Sequence, residues 1–175
     1  MQTLFLDAPY NGKIELCKET VEYLKKKKYH TVALYASVQF VNQLETVQKQ
    51  LEQEKITVIT SKADRTQVVG QLLGCDNYHQ SLNLSEKENK NIDCYLYVGD
   101  GRFHPLALVY GQKDEEQMKE IVCNDPIGKT LFLVSVENIK IILRKYRGSL
   151  MRFLTAETVG VISTIKPGQE QFKPA

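Results

Sequence analysis

The sequence predicts an α/β fold in which an open, mostly parallel sheet is flanked by helices within a single βαβ-type domain. Short apolar runs rich in β-branched and aromatic residues alternate with longer amphipathic stretches, and this alternation is typical of βαβ units. The length of 175 residues is enough for one well-buried core. We therefore expect one domain over residues 1–165 and a tail over residues 166–175 that is consistent with the start of a further domain.

The first half of the chain predicts a regular β-α-β-α-β framework. The run TVALYA at residues 31–36 is apolar almost throughout, as expected for a strand that is covered on both faces. The preceding amphipathic stretch places Cys17 in an apolar stripe at helical spacing, so we predict that Cys17 belongs to the core. In order, the predicted elements are a strand at 3–6, a helix at 12–27, a strand at 31–36, a helix at 38–53 and a strand at 56–60.

The second half begins with a long irregular segment at residues 61–85 and a charged stretch at residues 85–91. Irregular segments beyond the carboxyl end of a strand are where open α/β sheets place their ligands. The sheet is then predicted to resume. The later elements are strands at 93–98, 120–124 and 130–134, a helix at 136–155 that Gly148 could interrupt, and a last strand at 159–164.

Charge and hydropathy argue against several classes of protein. The 23 basic and 21 acidic residues give a net charge of +2, which does not indicate direct binding to nucleic acid. The basic run at residues 25–28 closes a predicted helix, where cations complement the helix dipole. The sequence shows no apolar stretch of membrane-spanning length and no basic leader, so we expect a cytoplasmic protein without a membrane partner.

The four cysteines, Cys17, Cys75, Cys94 and Cys123, are widely spaced and form no Cys-x-x-Cys pair. This pattern fits neither a secreted disulfide framework nor a self-contained zinc site. Cys94 and Cys123 lie within apolar strands and are predicted to be buried, structural thiols. A metal site that used any of these cysteines would need further ligands from elsewhere.

The first candidate loop is RTQVVGQLLGCDNYH at residues 65–79, where Gly70 and Gly74 precede Cys75. Glycines permit positive φ and a close approach of the backbone to a bound group. A thiolate beside backbone N–H groups is a suitable ligand for iron–sulfur clusters. The residues alone still favour an inert, half-buried thiol, and they favour a solvated His79 over one that borders a site.

The second candidate loop is GDGRFHP at residues 99–105, which follows a predicted strand. Pro105 suits the first turn of a helix, and the free N–H groups of that turn, with Arg102 beside them, would form a corner for a carboxylate or a phosphate. His104 is placed to serve that corner. A helix start with a structural Arg–carboxylate pair explains the same residues equally well.

Four motifs occur in one order along the chain: VGQLLGC at 69–75, YVGDGRFHPLAL at 97–108, NDP at 124–126 and VISTIKPGQ at 161–169. Together they resemble the central domain of the 2-(3-amino-3-carboxypropyl)histidine synthase family, whose members catalyse the first step of diphthamide synthesis. The resemblance runs from TLFLDAP at residues 3–9 through Gln169.

In that family, each of three similar α/β domains donates one cysteine to a 4Fe-4S cluster. The cluster cleaves S-adenosylmethionine to a 3-amino-3-carboxypropyl radical, which alkylates a histidine of translation elongation factor 2. The resemblance implies that Cys75 is a cluster ligand and that the loop at 99–105 lines the S-adenosylmethionine site. The residues that it implies for cofactor binding are Gln71, Gly74, Gly99, Asp100, Gly101, Arg102 and His104.

The chain departs from the family because it carries one such domain and one matching cysteine. A single thiolate does not hold a cluster, so the resemblance implies partners, either sister domains or a homologous subunit. A split enzyme, a fragment and a reduced paralogue all remain open. A non-catalytic interaction subunit and a small domain that binds an anionic metabolite also remain open. Whether the chain is a catalytic domain or an interaction subunit, we expect an exposed apolar patch around Leu72, Leu73 and Tyr78.

Overall fold

A five-stranded sheet forms the centre of the protein in a computed structural model that describes residues 9–78, 80–115 and 117–162. The order across the sheet is β2-β1-β3-β4-β5. The first four strands are parallel, and β5 runs antiparallel to β4. The predicted α/β fold with a mostly parallel sheet is confirmed. The strands are β1 (Thr31–Ala36), β2 (Thr57–Ile59), β3 (Cys94–Val98), β4 (Ile121–Asp125) and β5 (Thr130–Val134).

Five α-helices accompany the sheet within the described ranges. None of them is long and apolar enough to cross a membrane. The helix predicted to contain Gly148 is continuous through that residue. The helices are α1 (Lys18–Lys27), α2 (Leu44–Gln53), which follows a 3-10 turn at Val41–Gln43, α3 (Glu86–Asn91), α4 (Pro105–Gly111) and α5 (Val136–Leu154).

The two faces of the sheet bury separate apolar clusters, because successive side chains of a strand point to opposite faces. One cluster contains the strand tyrosines Tyr35, Tyr95 and Tyr97 and packs against α4 and α5. The other contains residues of α1 and α2. Cys94 and Cys123 are buried in opposite clusters, as predicted for structural thiols. Burial raises the pKa of both thiols, to about 12 for Cys123, so they stay protonated at neutral pH.

The sequence placed the start of the first helix too early, because α1 begins at Lys18. The segment before it is extended, and buried Ile14 and Leu16 cover the sheet from there. Cys17 is the half-buried residue that precedes α1, so its predicted place in a core-facing helical stripe is wrong. Its thiol lies 3.1 Å from the Thr20 hydroxyl.

Other predicted boundaries differ for local reasons. The helix predicted at 38–53 starts with turns and becomes α-helical only at Leu44. The charged stretch forms the short helix α3 because the Ser85 and Glu88 side chains each cap a backbone N–H of the other. Residues 159–162 form no strand and are exposed, so the described part of the last predicted strand is wrong. The predicted strand at 3–6, His79 and residues 163–175 lie outside the described residues.

Asn124 joins the extended segment to the sheet. Its side chain is fully buried at the end of β4 and accepts hydrogen bonds from the Cys17 N–H, at 2.8 Å, and from the Thr20 hydroxyl, at 2.9 Å. It also donates to the Glu15 carbonyl at 3.1 Å. One buried amide thus satisfies three polar groups across more than 100 residues of sequence, and it fixes where α1 begins.

We predict that Asn124→Ala lowers the free energy of unfolding by about 2–4 kcal/mol, because buried polar groups left without a partner cost about 1–3 kcal/mol each. Denaturant unfolding of the purified chain measures the change. Asn91→Ala is the matched control, because Asn91 is exposed at the end of α3 and its loss should cost less than about 0.5 kcal/mol. An equal effect of the two substitutions would contradict the role of Asn124.

Candidate functional site

Two loops meet at the carboxyl edge of the parallel strands, and each carries one of the sequence motifs. We call residues 65–76 the cysteine loop and residues 99–105 the arginine loop. The cysteine loop belongs to the connection between β2 and β3, and the arginine loop connects β3 to α4. Parallel strands bring their carboxyl ends to one edge, so the two loops become neighbours although 22 residues lie between them in sequence.

The cysteine loop is attached to the sheet where β2 has ended. Gln71 forms an isolated parallel bridge with Ala36, the last residue of β1. The Ala36 N–H donates to the Gly70 carbonyl at 2.7 Å, and the Leu72 N–H donates to the Ala36 carbonyl at 2.9 Å. Gly70 has φ +81° and its Cα faces the Leu44 side chain, so a larger residue would be strained and crowded there.

The buried carboxylate of Asp76 fixes the conformation of the cysteine loop. Its two oxygens accept hydrogen bonds from the Arg65 N–H at 3.1 Å and from the Leu73 N–H at 3.0 Å. The Asp76 N–H in turn donates to the Leu73 carbonyl at 3.0 Å. Asp76 is fully buried, whereas the residue before it is exposed. Sequence reasoning missed Asp76, since nothing in its spacing marks these partners.

Cys75 presents its thiol outward from this braced loop. The residue is exposed, and its thiol has no hydrogen-bond partner among the described residues. Its backbone carbonyl accepts a hydrogen bond from the Arg65 guanidinium, which also lies 5.6 Å from the centre of the Tyr78 ring. The sequence alone favoured a half-buried thiol. The structure instead shows an accessible thiol on a fixed backbone.

The arginine loop turns sharply at the end of β3. The Gly99 N–H donates to the Asn124 carbonyl at 3.0 Å, and Gly101 has φ +73°. Asp100 accepts a hydrogen bond from Gln39 at 3.0 Å rather than pairing with Arg102. The exposed Arg102 guanidinium lies 4.4 Å from the centre of the Phe132 ring, so a cation–π contact holds it over β5.

The two loops touch through Gly74 and Phe103. A Cβ added to Gly74 would overlap the exposed Phe103 ring, so this glycine allows the loops to approach closely. Phe103 also meets His104 edge to face, with ring centres 5.6 Å apart. His104 is half-buried immediately before α4, whose first residue is Pro105, as the sequence predicted. Cys75 follows Gly74 directly and therefore lies beside the arginine loop.

Small and large cavities lie in different places. A cavity of about 160 Å³ lies beside the arginine loop, and it is lined by Gly99, Gly101, Arg102, Cys123, Asp125, Thr130 and Phe132. The larger cavity of about 510 Å³ lies between α3 and the end of α4, with Tyr95 and Leu108 in its walls. It contains no residue of either loop. We assign the site to the loops because the accessible thiol and the arginine are there.

The structure separates the predicted site residues into two groups. Gln71 is buried, and its side-chain carbonyl accepts from the Gln67 N–H at 3.0 Å, so it organises the loop in this conformation. Cys75, Asp100, Gly101 and Arg102 are exposed at the sheet edge. The predicted exposed patch is partly wrong, because Leu72 is fully buried in the core. Tyr78 of that patch is 57% exposed.

Cys75 belongs to no group of three or more candidate metal ligands among the residues that the structure describes. Across the described ranges, no group of three or more His, Cys, Asp or Glu side chains is placed to hold a metal ion. The buried thiols of Cys94 and Cys123 have raised pKa values because burial disfavours a thiolate. The described residues therefore offer one exposed thiol, which matches one corner of a metal cluster and does not complete it.

Comparisons with known proteins identify the family of this chain and several similar proteins. The family model described as "Putative diphthamide synthesis protein" matches residues 1–175. A 2-(3-amino-3-carboxypropyl)histidine synthase of Methanocaldococcus jannaschii is 33% identical over 84 residues, which cover 47% of this chain and 23% of that protein.

Solved structures of Dph2 from Pyrococcus horikoshii are also similar. One is 27% identical with a TM-score of 0.61, and another, which contains a 4Fe-4S cluster, is 28% identical with a TM-score of 0.61. Each match covers 87% of this chain and 42% of the Dph2 chain, so this chain spans less than half the length of these relatives. The match to the family model extends over all 175 residues. The chain therefore belongs to the diphthamide synthesis protein family.

Proposed function

We propose that this chain is a domain or subunit of a cytoplasmic 3-amino-3-carboxypropyl transferase. The enzyme would use a 4Fe-4S cluster and S-adenosylmethionine to modify a histidine of translation elongation factor 2, in the first step of diphthamide synthesis. Cys75 supplies one ligand of the cluster, and the arginine loop forms part of the S-adenosylmethionine site. Sister domains or a homologous subunit supply the other ligands.

The observation that carries this proposal is the accessible Cys75 thiol on a braced loop beside the arginine loop. A ligand whose backbone is already held in place binds a metal more tightly, and the buried Asp76 carboxylate and the Arg65 guanidinium both restrain the backbone around Cys75. Thiolates are the usual ligands of 4Fe-4S clusters. The similar Dph2 structure that contains a 4Fe-4S cluster supports this choice of cofactor.

The arginine loop provides groups suited to the amino-acid part of S-adenosylmethionine. Arg102 is exposed, and its planar guanidinium can donate two parallel hydrogen bonds to a carboxylate. The Phe132 ring lies against the guanidinium, so the Arg102 side chain loses less conformational entropy when it binds a ligand. The cluster, when bound, supplies the electron chemistry that cleaves S-adenosylmethionine. The residues of this chain hold one iron and orient the ligand.

A second candidate function is that of a non-catalytic subunit that docks against a catalytic homologue. The absence of a three-ligand group in the described ranges favours it, because the chain could keep the fold without completing a cluster. Activity of the assembled complex after Cys75→Ala separates the two candidates. Full activity would favour the interaction subunit, and loss of activity would favour the transferase domain.

We predict that Cys75→Ser lowers the iron and sulfide bound by the assembled complex, because a hydroxyl is a poor ligand for a cluster that selects thiolates. Anaerobic reconstitution with the diphthamide-family partner, followed by iron and sulfide analysis, measures this. Cys17→Ser is the matched control and should leave the iron content unchanged, since Cys17 lies half-buried before α1. Equal iron in wild type and Cys75→Ser would refute the ligand role.

We predict that Asp76→Asn loosens the cysteine loop. Each carboxylate oxygen accepts from a different N–H group, and the NH2 group that replaces one oxygen cannot accept a hydrogen bond. The expected loss of unfolding free energy is about 1–3 kcal/mol, with faster hydrogen exchange of the Arg65 and Leu73 amides, which lose their carboxylate partner. Asp114→Asn, at an exposed position, should change neither quantity. Unchanged exchange of both amides in Asp76→Asn would show that Asp76 does not restrain the cysteine loop.

We predict that Arg102→Lys weakens S-adenosylmethionine binding by the assembled enzyme by about 1.5–3 kcal/mol, because lysine cannot reproduce a bidentate contact with a carboxylate. Calorimetry measures the affinity, and thermal unfolding of the same variant measures stability. Arg144→Lys on α5 is the control. Unchanged affinity with a lowered melting temperature would mean that Arg102 acts only through its contact with Phe132.

A further inference from the structure

The apolar stripe of α5 continues beyond the part of the domain that covers it. In the first half of the helix, Ile139 and Leu143 are buried against the core. The same i, i+3, i+4 pattern continues into the second half, where the side chains are left uncovered. The uncovered residues, with their exposed fractions, are Tyr146 at 38%, Leu150 at 41%, Phe153 at 58% and Leu154 at 65%.

A cavity of about 300 Å³ lies where the covered part of the stripe ends. It is lined by Asn77, Tyr78, Tyr110, Lys113 and Tyr146. The rings of Tyr110 and Tyr146 lie 5.5 Å apart, and the Arg147 guanidinium donates to the Lys113 carbonyl at 2.8 Å, which fixes α5 at this point. Tyr78 connects the cavity to the cysteine loop, since Arg65 lies over its ring.

The charges of α5 beyond its first turn have one sign; Glu137, in the first turn, is the one acidic residue of the helix. Residues 138–154 contain five basic residues and no acidic residue; the basic residues are Lys140, Arg144, Lys145, Arg147 and Arg152. Lys113 adds another cation at the rim of the cavity, 5.0 Å from the centre of the Tyr78 ring. Two copies that docked through this same face would bring like charges together. A partner with carboxylates at the edge of an apolar surface is complementary.

A preformed cavity lined by three tyrosines favours a protein partner over a lipid surface. Aromatic pockets of this kind receive single apolar side chains at the centre of protein interfaces. A lipid surface would use the basic and apolar faces of the helix but not a concave cavity beside the cysteine loop.

We propose that the uncovered stripe of α5 and the tyrosine cavity form the docking surface for another domain of the diphthamide synthesis family. The partner surface would present an apolar ridge edged by carboxylates, with one apolar side chain in the cavity. This inference rests on the proposed function, in which the remaining cluster ligands come from such a partner. Tyr78 then places the interface next to the loop that carries Cys75.

Binding measurements with matched variants test the surface. The probe is each purified diphthamide-family chain encoded in the same genome, and calorimetry measures its affinity for the purified chain. Leu150→Glu and Phe153→Glu should each weaken binding at least about tenfold, because they place charge in an apolar interface. Ile141→Glu is the control: Ile141 is 49% exposed but lies on the opposite side of α5. All three variants should keep the wild-type melting temperature, since the side chains are exposed.

Several outcomes would overturn the inference: no binding in the micromolar range, equal losses for Ile141→Glu and the stripe variants, or binding that only vesicles of phosphatidylserine and phosphatidylcholine support. Iron analysis of the complex separates this inference from the proposed function. A complex whose formation depends on the stripe but that holds no Cys75-dependent iron would contradict the proposed function alone. Cys75-dependent iron in a complex that still forms with the stripe variants would contradict the proposed docking surface alone.

Discussion

The hydrogen bonds of one buried carboxylate determine how this domain positions its exposed cysteine. Asp76 accepts from two backbone N–H groups that are eight residues apart in sequence, and this closes the cysteine loop around Cys75. An unpaired buried carboxylate would be costly, so the loop keeps the conformation that satisfies it. The sheet edge then supplies a second restraint through the bridge between Gln71 and Ala36. Together they leave the neighbouring thiol accessible while its backbone stays fixed.

The same edge explains why the site is incomplete in the described part of this chain. Parallel strands bring the cysteine loop and the arginine loop together, but each loop contributes few groups that could bind a ligand. The strand thiols are buried in the two apolar clusters and keep their protons. An iron–sulfur function would therefore need ligands from beyond the described residues, and we propose that a partner that supplies them docks on the uncovered stripe of α5.

Much of the fold could be predicted from sequence because its signals are local. The TVALYA run gave the bounds of β1 correctly, since a strand covered on both faces is apolar throughout. The start of α1 could not be predicted, because it depends on Asn124, which lies more than 100 residues away. The helix α3 could have been predicted from a local signal. Ser85 and Glu88 have the spacing of a capping box, which favours the start of a helix even in a charged stretch.

The candidate site was predictable in part for the same reason. The glycines and Cys75 mark a loop by their residue types, whereas the role of Asp76 depends on contacts that no spacing rule describes.

The most direct test of the account is an anomalous-scattering map, at the iron absorption edge, of crystals of the complex with its diphthamide-family partner. We predict iron bonded to the Cys75 sulfur, between the cysteine loop and the arginine loop. A cluster bound elsewhere, with the Cys75 thiol free, would contradict the account.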